Sequence, residues 1–163
     1  MSKYTALQCA VGLLARREHG EQELRQKLKL REYEDEDIEA AIDRLLEKNY
    51  LCDERFAASV CRHRANRGFG WQYISNELKQ KGVCSIIIQQ LKKNCEIDWY
   101  LQAELAYNKR FPSYEDAHDV EEESRHANKE ILIKAQNKMK AKKIRFLQYR
   151  GFSLDETLHA INS

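Results

Sequence analysis

The chain has 163 residues, of which 42% are hydrophobic and 33% are charged, so it fits one domain or a string of small modules that can bury a core. One proline and six glycines are few for an all-β protein, which needs many tight turns. The formal net charge of +2 predicts no partner by itself. Residues 53–97, however, carry 8 basic and 4 acidic side chains, which makes the middle third the basic part of the chain.

Apolar residues recur at helical spacing along almost the whole chain. In chain order the stripes are Leu7, Val11 and Leu14; Leu24 and Leu28; Ile38, Ile42 and Leu45; Phe56 and Val60; Ile74 and Leu78; Ile97, Leu101 and Leu105; and Leu154, Leu158 and Ile161. The pattern predicts about nine helices and no strand.

The predicted helices have regular starts and ends. Asp53 and Asp98 are plausible N-caps, and Ser153 with Glu156 has capping-box spacing. A glycine follows most of the helical patterns, where it can adopt the left-handed cap conformation without a Cβ clash. These glycines are Gly20, Gly68, Gly82 and Gly151.

The helical pattern also repeats. Gly20, Leu24 and Leu28 match Gly70, Ile74 and Leu78 at an offset of 50 residues, and "FLQYRGF" at 146–152 is a weaker third copy of the segment that ends at Val83. Three short helices have a thin core alone, so the units should stack and share apolar faces. The fold class predicted is therefore all-α, an elongated stack of three tandem three-helix repeats near 1–52, 53–97 and 98–163.

The third repeat is irregular. Pro112 ends its first helix, and the acidic run "EDAHDVEEE" at 115–123 precedes a lysine-rich segment. Acidic residues favour a helix N-terminus and basic residues its C-terminus. One acidic-then-basic helix over 120–150 is therefore expected as an insertion in this repeat.

Five cysteines, an odd number without C-x-x-C spacing, indicate free thiols in a reducing compartment and no metal site. The apolar stretch "ALQCAVGLLA" at 6–15 is too short to span a membrane, and charged Arg16, Arg17 and Glu18 follow it. We therefore expect a soluble cytoplasmic protein without a membrane partner.

Known catalytic and cofactor motifs are absent from the sequence. There is no G-x-S-x-G and no H-E-x-x-H. Gly68-x-Gly70 lacks the third glycine of a dinucleotide fingerprint, and Trp71 and Gln72 stand where a Walker loop needs lysine and a hydroxyl. The sequence therefore contains no motif that predicts an enzyme or a cofactor. A helical repeat can bring distant residues together, so an active site could still form from residues that are far apart in the chain.

A basic corner lies in "RHRANRGFGWQYISNELKQKG" at 62–82. Guanidinium groups can grip phosphates or carboxylates with paired hydrogen bonds, and opposing carboxylates are scarce nearby. The predicted binding residues are Arg62, Arg64, Arg67, Lys79 and Lys81. The aromatic residues of the corner could stack on bases or anchor it in the core: Phe69, Trp71 and Tyr73.

A second basic surface is predicted on the lysine-rich helix. Lys138, Lys142 and Arg145 share one helix face, and Leu132, Ala135, Met139 and Phe146 form the other. The face is either a second contact for a long anionic partner or the solvated side of an ordinary amphipathic helix.

Four segments carry a further signal when they are taken together: "ARREHGEQELRQKL", "YLCDERFAASVCRHRANRGFGWQYISNELKQKGV", "EIDW" and "RFLQYRGF". They resemble the RecX family, the bacterial regulators of RecA recombinase, and the match covers 4–111 and 143–163. The strongest part is the second repeat, where the family pattern falls on Asp53, Arg55, Phe56, Arg67, Gly68, Gly70, Leu78, Lys81 and Gly82. Residues 112–142 depart from the family by their length and acidic start.

The resemblance implies tandem three-helix repeats and a regulator, not an enzyme. It implies binding to the RecA–DNA filament, with inhibition of strand exchange, ATP hydrolysis and co-protease activity. It also implies binding to single- and double-stranded DNA without marked sequence preference. Two other functions stay open: a sequence-neutral DNA-binding protein that competes for DNA, and a helical adaptor without DNA contact.

Overall fold

The computed structural model describes residues 4–112 and 129–163, and within them it has helices and no strand. The helices are α1 (Ala6–Leu14), α2 (Glu21–Lys29), α3 (Asp35–Glu47), α4 (Asp53–Asn66), α5 (Trp71–Gln80), α6 (Ser85–Asn94), α7 (Trp99–Arg110), α8 (Lys129–Tyr149) and α9 (Leu154–Asn162). The prediction of an all-α fold of tandem three-helix repeats is confirmed. The repeat boundaries at 52/53 and 97/98 stay a prediction. The acidic run and the start of the predicted 120–150 helix lie outside the described residues.

Two of the predicted helix starts are confirmed. The Asp98 carboxylate accepts hydrogen bonds from the N–H groups of Tyr100 and Leu101 at 3.0 and 3.1 Å. Ser153 and Glu156 form the expected capping box at the start of α9. The prediction for Asp53 was wrong, because it is the first residue of α4 and its carboxylate accepts from the Glu21 N–H at 2.8 Å. Asp53 therefore caps α2, a helix that begins 32 residues earlier in the chain.

Three of the four predicted glycine corners are confirmed. Gly68, Gly82 and Gly151 have φ of 78°, 81° and 87°, in the left-handed region that favours glycine. Gly20 was predicted wrongly, because it has extended backbone (φ −77°) as the N-cap of α2. Close packing accounts for a glycine there, since an added Cβ would lie 2.9 Å from the ring of Phe56.

The described residues form two compact units: unit 1 contains 4–63 and 75–95, and unit 2 contains 64–74, 96–112 and 129–163. In unit 1, α1, α2 and α3 bury the cluster Ala10, Leu24, Leu28, Ile38, Ile42, Leu45 and Leu51. Unit 1 also packs the α5–α6 corner against the start of α2, where a Cβ on Gly82 would lie 2.8 Å from Gln22 Cβ.

Unit 2 repeats this corner packing with its own residues. Its core is Ala103, Ala106, Leu147, Phe152 and Ala160, contributed by α7, α8, α9 and their corner. The start of α5 lies directly on the α8–α9 corner, where the Gln72 N–H donates to the carbonyl oxygen of Gly151 at 3.0 Å. Gln72 follows Gln22 by 50 residues, so the same position of the repeat meets a left-handed glycine in both units.

The helix faces that are buried differ from some predicted stripes. In α7, Leu101 and Leu105 are exposed while Ala103 and Ala106 are buried. The exposed Val11 of α1 and the exposed Leu154 of α9 likewise lie outside the core, which takes Ala10 and Ala160 from those helices. At these positions the structure therefore buries alanine and leaves the larger apolar side chain exposed. Within the described ranges, no helix is long and apolar enough to cross a membrane.

Candidate anion-binding site

The two units divide the predicted basic residues. Arg62, Lys79 and Lys81 belong to unit 1, whereas Arg64 and Arg67 of the corner belong to unit 2. Unit 2 also contains the predicted basic face of α8, which consists of Lys138, Lys142 and Arg145.

The unit 1 residues differ in their surroundings. Lys81 packs against the rest of the unit: its Nζ lies 3.9 Å from the Glu77 carboxylate and 5.9 Å from the ring centre of Phe56. Arg62 and Lys79 are exposed. The charge of Lys81 is therefore partly offset inside unit 1, and Arg62 and Lys79 are the two predicted residues of this unit that face solvent.

The aromatic residues of the corner are packed to different degrees. The rings of Phe69 and Tyr73 stack with centroids 4.3 Å apart, and the rings of Trp71 and Trp99 lie 5.9 Å apart. Phe69 and Trp71 are half-buried, whereas 37% of Tyr73 is exposed. Corner packing thus describes Phe69 and Trp71, and Tyr73 keeps a surface on which a base could stack.

A cationic pocket of about 300 Å³ lies in unit 2, where the end of α4 meets α7 and α8. Its charged lining is Arg67, Lys109, Arg110 and Arg150. Neutral side chains, including Leu105 and Phe146, complete the wall, and no carboxylate of the described residues lines it. We call it the unit 2 pocket.

The fold positions the Arg150 guanidinium through three contacts. Its centre lies 4.7 Å from the ring centroid of Phe69 and 5.3 Å from that of Phe146, which are cation–π distances. Its Nη1 donates to the main-chain carbonyl oxygen of Arg67 at 3.0 Å. The left-handed turn at Gly68 lies close to this guanidinium. A Cβ added to Gly68 would be 3.9 Å from Arg150 Nη1.

The other pocket cations come from helix ends. Lys109 and Arg110 are in the last turn of α7, where the helix dipole favours positive charge. Both are exposed, as is Arg67. Within the described residues, none of the four pocket cations forms an ion pair. Their charges are therefore open to an anion from outside.

Sequence reasoning singled out Arg67 but not the other three pocket cations. Arg150 stood in the weak third copy "FLQYRGF", matched to Lys81, and that match was the one available signal for it. Lys109 and Arg110 look in the sequence like an ordinary basic helix end. The pocket joins residues more than 80 positions apart, which no local pattern reveals.

The basic face of α8 is arranged as predicted. Lys138, Lys142 and Arg145 are exposed, and the opposite face is half-buried through Leu132, Ala135, Met139 and Phe146. Next to this face, the Lys143 Nζ lies 5.3 Å from the ring centroid of Tyr107 and 5.8 Å from that of Phe111. Lys143 thus lies on the side of α8 that meets α7, while the basic face is exposed to solvent.

Metal ligands and thiols are the remaining groups among the described residues that could carry chemistry. They contain no group of three His, Cys, Asp or Glu side chains that could hold a metal ion, and each of the five cysteines is a free thiol. Burial raises the pKa of the Cys61 thiol to about 11, so this group is protonated at neutral pH and a poor nucleophile.

Comparison with known families and proteins gives matches along most of the chain. The family model described as RecX, first three-helix domain, matches residues 6–45, and the one described as RecX, second three-helix domain, matches 53–91. A regulatory protein RecX of Vibrio parahaemolyticus is 41% identical over 155 residues, which are 95% of this chain and 88% of that protein. One from Actinobacillus pleuropneumoniae is 36% identical over 162 residues, covering 99% and 94%.

Two solved structures have a similar fold. The crystal structure of RecX from Lactobacillus salivarius has a TM-score of 0.68 at 21% identity, covering 96% of this chain and 92% of the other. A second crystal structure, of a regulatory protein RecX, has a TM-score of 0.72 at 20% identity, covering 97% and 70%. At these identities the likeness concerns the fold alone.

Proposed function

The chain belongs to the RecX family of regulatory proteins, and from that premise we propose that it binds the RecA–DNA filament and inhibits the recombinase, ATPase and co-protease activities of RecA. The relatives that it matches over most of their length are named regulatory proteins, not enzymes. We further propose that it binds single- and double-stranded DNA without marked sequence preference, and that it acts in the cytoplasm.

The observation that carries the proposal is the set of exposed cations that the described residues of unit 2 bring together. The unit 2 pocket and the basic face of α8 offer positive charge to a partner, and a DNA filament is a long polyanion. Arg62 and Lys79 of unit 1 would add contacts. A regulator held on several neighbouring RecA subunits would oppose the motions that ATP hydrolysis and strand exchange require.

The first test is RecA ATP hydrolysis on single-stranded DNA, with this chain added well below the RecA concentration. The proposal predicts strong inhibition that persists when excess poly(dT) is present, because the target is the filament and not bare DNA. Inhibition that requires enough protein to coat the DNA would support the sequence-neutral DNA-binding protein instead. No inhibition at any ratio would reject both.

The second test addresses the basic corner. The double charge reversal Arg64→Glu with Arg67→Glu should weaken filament inhibition while the circular dichroism spectrum stays helical. The matched control reverses two exposed lysines of unit 1, Lys48→Glu with Lys93→Glu, and should inhibit as the unchanged chain does. Full inhibition by the corner variant would remove the corner from the mechanism.

The sequence-neutral DNA-binding protein is the second candidate, because the unit 2 pocket would serve any nucleic acid. The helical adaptor without DNA contact predicts that the unchanged chain does not bind DNA, so that removing the pocket charges changes nothing in a DNA-binding measurement. These three functions thus differ in one pair of readouts, ATPase inhibition with RecA and DNA binding without it.

A further inference from the structure

We propose that the unit 2 pocket binds consecutive backbone phosphates of a single-stranded nucleic acid, with the exposed Tyr73 nearby as a stacking surface for a base. The inference deepens the proposed function and rests on it for the identity of the strand, which would be the DNA of the RecA filament. The binding chemistry itself is argued from unit 2 alone.

The number of charges in the pocket points to a polyanion. Four cations line a space of about 300 Å³ without a carboxylate among its described lining residues. A single acetate-like group would leave most of this charge uncompensated, whereas a nucleic-acid strand supplies one negative charge per nucleotide. Like charges gathered at one concave surface also raise the local concentration of an anionic ligand.

The arginine geometry fits phosphate groups. Phe69 and Phe146 flank the Arg150 guanidinium, and its Nη1 is directed to the Arg67 carbonyl, so one fork of donors is held in place before a ligand arrives. Such a fork matches the paired oxygens of a phosphate. Arg67 and Lys109 are exposed at the pocket rim and can adjust to the next phosphate along the strand.

The aromatic residues favour a single strand over a duplex or an acidic protein surface. Tyr73 stacks on Phe69 at 4.3 Å, and Phe69 in turn stacks on the Arg150 guanidinium at 4.7 Å. A row of Tyr73, Phe69 and Arg150 therefore leads from an exposed ring to the pocket. Bases of a single strand are free to stack on such a ring, while those of a duplex are paired and stacked on each other.

The test is fluorescence anisotropy of labelled oligo(dT) with the full chain, without RecA, over a range of salt concentrations. The variant R67Q/K109Q removes two exposed pocket charges that have no ion pair among the described residues. Losing two single-strand phosphate contacts should lower the slope of log affinity against log salt by about 1.4 and weaken binding on the order of 10-fold at low salt. The control K48Q/K93Q removes the same charge from exposed positions of unit 1 and should keep the slope.

Two further measurements test whether the pocket requires positive charge and whether Tyr73 distinguishes a single strand from a duplex. The charge-keeping variant R67K/K109R should bind oligo(dT) with the full salt slope. Tyr73→Leu should weaken binding of the single strand on the order of 5-fold, the loss expected for one stacked base, and leave binding of the matching duplex unchanged. An unchanged helical dichroism spectrum verifies that each variant is folded.

The outcomes separate the two proposals. A salt slope that R67Q/K109Q leaves unchanged, or that the control lowers equally, overturns the phosphate site. Retained DNA binding with lost filament inhibition also overturns it and assigns the pocket to an acidic protein surface. A lowered slope in a chain that fails to inhibit RecA supports the phosphate site and rejects only the proposed function.

Discussion

The N–H of Gly70 donates a hydrogen bond to the main-chain carbonyl oxygen of Arg150 at 2.8 Å. Gln72 makes the same kind of bond to Gly151, so two N–H groups at the start of α5 are paired with carbonyls just beyond the end of α8. Helix ends leave such groups without intrahelical partners. The N–H groups at the start of α5 and the carbonyls after α8 therefore provide each other's hydrogen-bond partners. The contact also places the positive end of one helix dipole beside the negative end of the other.

This contact makes Gly70 a sensitive position for stability. A Cβ there would clash with the main chain of Gly151 and Phe152. We expect Gly70→Ala to lower the free energy of unfolding by about 2 kcal/mol, since the backbone on the other side cannot move away cheaply. Urea unfolding followed by circular dichroism measures the change.

The matched control is Gly12→Ala in α1, where an added Cβ would meet nothing within 4 Å. Alanine is favoured over glycine in a helix by about 1 kcal/mol, so this variant should be stabilised. Equal effects of the two substitutions would contradict the close contact at Gly70.

Asp53 provides a second prediction about stability. Its carboxylate accepts the Glu21 N–H at the start of α2, where Gly20, the N-cap residue, has no side chain to do so. Asp53→Ala should cost about 1 kcal/mol, the usual loss for a helix cap. Asp53→Asn keeps an oxygen acceptor and should cost clearly less. The order of their thermal midpoints is the measurement, and the reverse order would exclude the cap.

His19 predicts how the stability of unit 1 depends on pH. The ring is buried, with Nδ1 3.0 Å from the Arg17 carbonyl oxygen and Nε2 3.0 Å from Lys27 Nζ. A carbonyl only accepts, so Nδ1–H donates to it and Nε2 accepts from the lysine, which requires a neutral ring. Burial lowers the pKa of His19 from 6.5, assisted by the charges of Arg17 and Lys27.

Because the folded pKa of His19 is below the unfolded value, its contribution to stability is full above pH 6.5 and is lost as the pH falls below it. The free energy of unfolding should therefore decrease between about pH 7 and 5.5. His19→Gln can still accept from Lys27 but does not titrate, so it should flatten this part of the curve. A curve of unchanged shape would assign the pH dependence to other groups.

The Glu23 carboxylate provides an internal reference for this experiment. Burial alone would raise its pKa, but the hydrogen bond and charge of Arg17 lower it to about 2. The stabilisation by Glu23 is thus fully present above pH 4.5 and is lost as the pH falls from there towards about 2. This range lies below the pH window of His19, so the two effects can be measured separately.

The basic face of α8 leads to a prediction about function. Lys138, Lys142 and Arg145 are exposed, so replacing all three with glutamine should preserve the helix. If they contact phosphates of the filament, inhibition of RecA should weaken by roughly 10-fold or more at low salt. A triple variant at exposed Lys48, Lys93 and Lys140 is the matched control. Equal inhibition by both triple variants would show that this face is solvated and does not contact the filament.

Local features of the fold could be predicted from the sequence. The helices, the cap at Asp98, the capping box at Ser153 and three glycine corners depend on residues close together in the chain, and their chemistry is the same in most proteins. The offset of 50 residues predicted the repeat for the same reason. It also matched Gly20 to Gly70, although the left-handed conformation predicted for Gly20 was wrong.

Contacts between distant segments could not be predicted in this way. Asp53 has the spacing of a local cap, and only the packing of α2 beside α4 redirects its carboxylate. In α7, leucine spacing suggested the core face, but the packing of distant helices buries Ala103 and Ala106 instead. The cationic pocket combines Arg67, α7 and Arg150, and their juxtaposition depends on the docking of one helical corner on another.

The contact between Trp71 and Trp99 provides an intrinsic fluorescence probe of unit 2. They are the two tryptophans of the chain, and both belong to unit 2, with rings 5.9 Å apart. Indole emission therefore monitors unit 2, while far-ultraviolet dichroism monitors the helices of both units. Trp71 also stands between Gly70 and Gln72, the two residues that bond to the α8–α9 corner, so opening of that corner during denaturation should change the emission without any added dye.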